Sequence, residues 1–219
     1  MTKLLKEDEI VVAVNNNDLF NNGLLHFQGV EQDQAVIDVI MKNIDINYIP
    51  VRRGSTSETT APAYKNAELN FDFKQPIPYV IIKRGEEYYA YERLNKGGEQ
   101  RLHNQLSIGW GGHQNPLKDS LSVPFSEVVM VNLERELEEE LNIITTTTKQ
   151  LNFIGLINDD ENEVGRVHLG ILALLELSLD AEVSVREVEQ LRGFWISAEE
   201  LKEQQHNFES WSQFAIDIL

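Results

Sequence analysis

The stretch from Gly109 to Ile143, GWGGHQNPLKDSLSVPFSEVVMVNLERELEEELNI, restricts the fold more than any other part of the chain. It holds a Gly-Gly turn, a loop and a predicted helix whose second half carries Glu134, Glu136, Glu138, Glu139 and Glu140. At about 100° per residue, Leu133, Leu137 and Leu141 fall along one apolar face. Glu136 and Glu140 border that face and Glu139 sits just beyond, so three carboxylates share the edge where the helix meets a core. Like charges at these spacings repel by a few tenths of a kcal/mol per pair in water, and by more as burial lowers the dielectric. Keeping them together suits a cation site. Oxygen-only donors, with no histidine or cysteine among them, suit hard ions such as Mg²⁺ or Mn²⁺. The plain alternative is a solvated face on an acidic protein, and the helix alone favours it.

Composition narrows the classes. The 219 residues suit one sizeable domain, or a domain with a smaller partner, and a 42% hydrophobic, 25% charged chain is ordinary globular composition. A net charge of −17 argues against binding a nucleic acid polymer or an anionic membrane, since both require phosphates to be neutralised. Small anionic ligands stay open, given a metal and a few arginines. The absence of cysteine excludes disulfides, zinc-thiolate sites and thiol nucleophiles. MTKLLKEDEI lacks an apolar signal core, and no run of about 18 apolar residues occurs, so a soluble, cytoplasmic protein is expected.

Residues 1–70 read as a small N-terminal α+β portion. A strand is predicted over Glu9 to Val14, a turn over Asn15 to Asp18, and a helix over Gln32 to Asn43 with Ala35, Val36, Val39 and Ile40 inward. Another strand is predicted over Ile46 to Arg52, then a polar loop from Arg53 to Pro62 that lacks the glycine and Gly-Lys-Ser/Thr ending of a phosphate-binding loop. This portion carries no chemistry of its own; capping a catalytic domain and pairing subunits into a homodimer are both open. From residue 71 the pattern turns to strands. IPYVIIKR and YYAYER flank a Gly85-Glu86 turn as a hairpin, and Leu106 to Trp110 leads into the Gly-Gly pair. Beyond the helix, LNFIGLI and VHLGILALLEL read as strands around an acidic loop from Asn158 to Glu163. The second is apolar enough for a central strand buried on both faces. Phe194 to Ile196 precedes a helix N-capped by Ser197.

Glu127, seven residues, then Arg135-Glu136-Leu137-x-Glu139-Glu140-x-Asn142-Ile143 resembles the Nudix box, G-x5-E-x7-R-E-U-x-E-E-x-G-U with U a bulky aliphatic, and Gly112 stands where its first glycine would be. Two departures are visible. Residues 113–126 number 14 where the box has five, so a turn-rich insertion with Pro116 and Pro124 must bulge outward. Asn142 replaces the box glycine, and asparagine is the next most tolerant of a left-handed helix end. Residues 71–219 then resemble a Nudix hydrolase domain, an α/β/α sandwich on a mixed sheet. Tyr91, Arg93, Gly98-Glu99-x-Arg101-Leu102 and Ile108-Gly109-x-Gly111-Gly112-His113 further resemble a subgroup of predicted MutT-like phosphoesterases.

The resemblance implies a metal-dependent hydrolase that cleaves a phosphoanhydride bond of a nucleoside diphosphate linked to another moiety. Mg²⁺ or Mn²⁺ would be held by Glu136, Glu139 and Glu140, with a distal acid completing the site. Glu189 is the first choice for that acid, Glu187 the second and the Asp159 to Glu163 loop the third. A glutamate of the box or of the distal loop would take the proton from water. Arg135 reads as an ion-pair partner that orients Glu139, Glu127 as support for the loop or an outer metal. Arg93, Arg101 and Gly112 are the candidate substrate contacts, with pairing of the arginines to Glu92 or Glu99 equally open. Trp110 and the Tyr88, Tyr89, Tyr91 group could stack on a base or simply fill a core. His113 and His168 carry no ligand spacing and read as structural. Two other classes stay in view: a Nudix-fold module that binds a nucleotide or ADP-ribose derivative without turnover, and an interaction protein with a solvated acidic helix. An isopentenyl-diphosphate isomerase is disfavoured because that family uses a cysteine.

Overall fold

The computed structural model describes residues 5–94, 105–117, 123–147 and 149–219. Strand β1 (Ile10–Asn15) is buried on both faces. Its two-residue period sends Val12 and Val14 into one apolar cluster and Val11 and Ala13 into another. The expected turn after it is a one-turn helix, α1 (Asn16–Leu19), because the Asn15 side chain accepts from the Asn17 N–H and caps it. After β2 (Gly29–Glu31) comes α2 (Gln34–Asn47), N-capped by Asp33. This helix runs one turn beyond the expected end, and its inward stripe is shifted. Ile40 and Ile44 are buried with Val36, Ile37 and Met41 packed on them, whereas Ala35 and Val39 face outward. The extra turn recruits Ile44, and a stripe centred on Ile40 and Ile44 rotates Ala35 and Val39 out of it. β3 (Ile49–Arg52) pairs antiparallel with β1, with Val11 opposite Val51, and residues 53–62 form neither helix nor strand.

β4 (Phe73–Arg84) starts four residues before the expected Ile77. It turns through Gly85 and Glu86 into β5 (Glu87–Arg93), with Arg84 opposite Glu87. Gly85 has φ 58°, the sign a two-residue hairpin needs at its first turn position to follow the strand twist. Short strands β6 (Leu106–Ser107) and β7 (Gly109–Trp110) precede helix α3 (Phe125–Glu140), which passes directly into β8 (Leu141–Ile144). Then follow β9 (Gln150–Asn158), β10 (His168–Leu177), β11 (Glu182–Val185), β12 (Leu191–Ser197), α4 (Ala198–Glu203) and α5 (Ser210–Ile216). The fold is mixed α/β: a large mixed sheet runs β12-β5-β4-β10-β9-β2, and β8 pairs separately with β11. β10 is buried almost throughout, as a strand flanked on both sides should be. Ser197 caps α4 in a complete capping box with Glu200. Among the described residues no helix is long and apolar enough to cross a membrane.

The chain folds as two compact units. The first comprises Met1–Pro78, Gly112–Glu134 and Gly155–Ile171. Its core gathers Val12, Val14, Ile40, Ile44, Phe125, Val128 and Leu169, with the Tyr48 and Phe125 rings 5.6 Å apart. Side chains buried this fully contribute about 1.5–3 kcal/mol each. The second comprises Tyr79–Gly111, Arg135–Ile154 and Leu172–Leu219. Trp110, fully buried, stacks on Tyr89 at 5.5 Å, meets Tyr91 at 4.4 Å and donates its indole N–H to the Tyr89 carbonyl at 3.0 Å. These aromatics therefore belong to the core, the plainer of their two readings. Tyr79 lies against Gly109, where any Cβ would fall within 1.9 Å of its ring, and its hydroxyl meets Glu209 (2.5 Å) and Ser212 (2.7 Å).

Candidate active site

Helix α3 starts where the Asp45 carboxylate accepts the Phe125 N–H at 2.6 Å, a favourable charge for an N-terminus. Two turns further, Asn132 and Asn115 exchange reciprocal amide bonds of 2.9 Å, which fix the loop that follows the Gly-Gly pair. The helix stops at Glu140 without a left-handed residue. Asn142 is extended in β8, opposite Ser184, which corrects the expectation of a left-handed cap there. Arg186 does the work instead: its backbone N–H donates to the Glu140 carbonyl and its Nε–H to the Leu141 carbonyl, both at 2.8 Å. A cation beside a helix C-terminus also offsets the dipole.

Within the last turn of α3 the carboxylates differ. The Glu136 side chain is only 13% exposed, while that of Glu139 is 61% exposed. Arg135 bridges them, with Nη2 at 2.7 Å from Glu136 Oε1 and Nη1 at 3.3 Å from Glu139 Oε2. Glu140 is packed inward and its carboxyl is pushed up to about 8. Burial is the largest cause; the charges of Glu136 and Glu187 add to it, and Arg93 and the Gly111 N–H oppose it. Gly111 has φ 148°, a backbone that side chains other than glycine's rarely adopt, and this aims its N–H at Glu140. Arg93, at the end of β5, donates from Nη2 to the Tyr91 hydroxyl at 2.9 Å, and that hydroxyl donates to the Gly109 carbonyl at 3.2 Å. Glu92 pairs across the strands with Arg192 at 2.5 Å.

The structure thus gathers Arg135, Glu136, Glu140, Arg93, Glu187 and Gly111. Glu189 and Glu187 are both exposed between β11 and β12, and the Glu187 charge reaches Glu140. Glu127 is exposed in the first turn of α3, Gly112 is half-buried, and Arg101, with Gly98 and Glu99, lies outside the described residues. In the acidic loop, Asp159 accepts from Gln28 (2.8 Å) and Asn162, and Asp160 pairs with Lys74 (2.8 Å) and His26 (2.6 Å). Two carboxylates wedged together until one is driven toward its neutral form are what a hard divalent ion relieves, by restoring the charge that burial suppresses. The donor set of Glu136 and Glu140, oxygen only, fits Mg²⁺ or Mn²⁺.

A second group of ligating side chains lies wholly in the first unit. Glu68, His113 and His168 place one ligand atom each within 4.8 Å of one another. His113 Nε2 stands 3.3 Å from Glu68 Oε1 and 3.2 Å from His168 Nε2, and His168 Nδ1 is 2.6 Å from the Val164 carbonyl. Burial chiefly pushes the His168 imidazole down to about 4, against the pull of Glu68. Burial alone would raise the Glu68 carboxyl, yet its bond to His113 and the charges of His168, His113 and Arg53 hold it well below the ordinary range. Glu68 drew no attention in the sequence, and no spacing rule connects three residues from separate segments.

No family model matches the chain. A curated relative, protein YmaB of Bacillus subtilis (strain 168), is 45% identical over 216 residues, which span 98% of both chains. Among solved structures the chain is similar to Tm1382, described as a candidate Nudix hydrolase. The TM-score is 0.73 with 27% identity, covering 96% of this chain and 97% of that one. An acid-rich helix of the box pattern, a half-buried carboxylate pair at its end and full-length likeness to these proteins lead to one conclusion: the chain belongs to the Nudix (MutT-like) hydrolase family.

Proposed function

We propose that the protein is a pyrophosphohydrolase, cleaving a phosphoanhydride bond of a nucleoside diphosphate linked to another moiety. The observation that carries this reading is the Glu136 and Glu140 pair on the inner edge of α3, with Glu140 half-buried within reach of the Arg93 and Glu187 charges and of the Gly111 N–H. Glu136 and Glu140, completed by Glu139 and by Glu189 or Glu187 on the turn before β12, would hold Mg²⁺ or Mn²⁺. That ion neutralises phosphoryl oxygens and raises the acidity of water. Arg135 divides its guanidinium between Glu136 and Glu139, which limits their rotamers and orients both carboxylates. Arg93 would present a planar donor fork to the phosphates, the role also expected of Arg101 from the sequence. A glutamate of the box or of the distal turn accepts the proton as water attacks phosphorus and the bridging oxygen leaves with its phosphate. Glu139, exposed and weakly paired, is the box member best placed to move for that step.

The test is product release across dinucleoside polyphosphates, nucleotide sugars, ADP-ribose and nucleoside triphosphates, with Mg²⁺ or Mn²⁺, for the wild type and Glu139→Gln. At least one class should turn over, and Glu139→Gln should lower kcat by roughly 100-fold or more while the protein stays folded. If no class turns over with either ion, and calorimetry shows nucleotide binding indifferent to Glu139→Gln, the protein is a binding module instead.

A further inference from the structure

Three segments of the first unit converge at Glu68, His113 and His168: the short turn Ala67–Leu69, the loop after the Gly-Gly pair, and the first residue of β10. All three side chains are nearly closed to solvent, with Glu68 6%, His113 11% and His168 4% exposed. The 2.6 Å contact to the Val164 carbonyl, an acceptor, requires that His168 carry its proton on Nδ1. Its Nε2 therefore presents a lone pair, and that lone pair faces His113 Nε2. A backbone carbonyl fixing the far ring nitrogen is the usual support of a metal-ligating histidine. Glu68 Oε1 accepts from Arg53 Nε at 3.0 Å, whereas Oε2 is buried with no hydrogen-bond partner among the described residues. Such an oxygen is costly to bury unless a cation meets it. Arg53 is itself shared with Glu9 at 3.3 Å, so the local charge around the cluster stays negative.

The spacing is also right for an ion. A tetrahedral site with bonds of about 2.0–2.1 Å has ligand-to-ligand edges of about 3.3–3.4 Å. The two edges at His113 measure 3.2 and 3.3 Å and all three ligand atoms lie within 4.8 Å of one another, so an ion would draw Glu68 and His168 to the same spacing.

We propose that Glu68, His113 and His168 form a second cation site, distinct in chemistry from the carboxylate box and suited to a first-row transition ion of the zinc class. Two imidazoles and one carboxylate favour such ions over Mg²⁺. Its role is structural: it ties the Ala67–Leu69 turn and the post-glycine loop to the start of β10. The site stands whether or not the box turns over a substrate.

The experiment uses full-length protein without a histidine tag, stripped by a chelator and kept in millimolar Mg²⁺, then titrated with Co²⁺ and displaced with Zn²⁺. A single equivalent of Co²⁺ should give the visible bands of a low-coordinate site. Zn²⁺ should abolish the bands and raise the melting temperature by several degrees. Glu140→Gln should keep both responses and His113→Gln should lose both. Glu68→Gln, which preserves shape, serves as the second variant and should weaken Co²⁺ at least tenfold. If the wild type shows no bands and no thermal shift up to ~100 μM Co²⁺ or Zn²⁺, the three residues share only a proton and the proposal falls. Bands lost in Glu140→Gln but kept in His113→Gln would assign the ion to the box and overturn it equally.

Discussion

Glu140 and Glu139 are neighbours in sequence with opposite circumstances. One is half-buried near like charge and the other is mostly exposed beside Arg135. The raised Glu140 pKa has a defined consequence for the metal-free protein. A carboxyl whose folded pKa of about 8 exceeds its unfolded value of 4.5 contributes stability that is complete below pH 4.5 and lost as pH rises toward 8. Glu140→Gln cannot ionise and escapes that loss. In chelator, the variant should match the wild type near pH 5 and exceed it at pH 8.5 by about 2–4 kcal/mol in urea unfolding. Equal stabilities at pH 8.5 would mean that Glu140 is solvated. The sequence shows which carboxylates border the apolar face, because helical period alone sets that. It does not show that Gly111, rather than Gly112, turns its N–H to Glu140, since the backbone angle of 148° is imposed by the surrounding chain. Nor does it show Glu68 with two histidines, whose meeting depends on how β10 and two loops pack.

At the level of elements, strands were legible where apolar residues alternate or run unbroken, as in β1, β4, β5 and β10, because burial on a sheet imposes those patterns directly. The Ser197 cap was legible because its bonds are local. The end of α3 was not. A helix terminus that looked to need Asn142 in a left-handed conformation is satisfied by Arg186, which reaches it only because β11 pairs with β8. Removing that guanidinium should therefore matter more than removing a surface ion pair. Arg186→Ala should lower stability by about 1 kcal/mol, whereas Arg192→Ala, whose partner Glu92 it meets at 70% exposure, should cost roughly 0.5 kcal/mol or less. Chemical denaturation of the two variants side by side decides it. Equal losses would show that Arg186 contributes nothing as a helix stop.

Over the whole molecule, the net charge of −17 and the proposed function fit together: a chain this acidic attracts cations and repels bare phosphates, so a phosphate substrate would need ions and a few arginines to be held. The fold class was readable because the box pattern and the order of strands agree. The substrate was not, because selectivity rests with loops that neither pattern nor fold fixes. The proposed function stands or falls with Glu136 and Glu140 as a hard-cation site. The direct measurement is Mn²⁺ binding by electron paramagnetic resonance in the wild type, Glu140→Gln and His113→Gln. Glu140→Gln should weaken Mn²⁺ at least tenfold while His113→Gln leaves a box-bound ion in place. Mn²⁺ affinity unchanged by Glu140→Gln would mean that the carboxylate pair does not hold the ion.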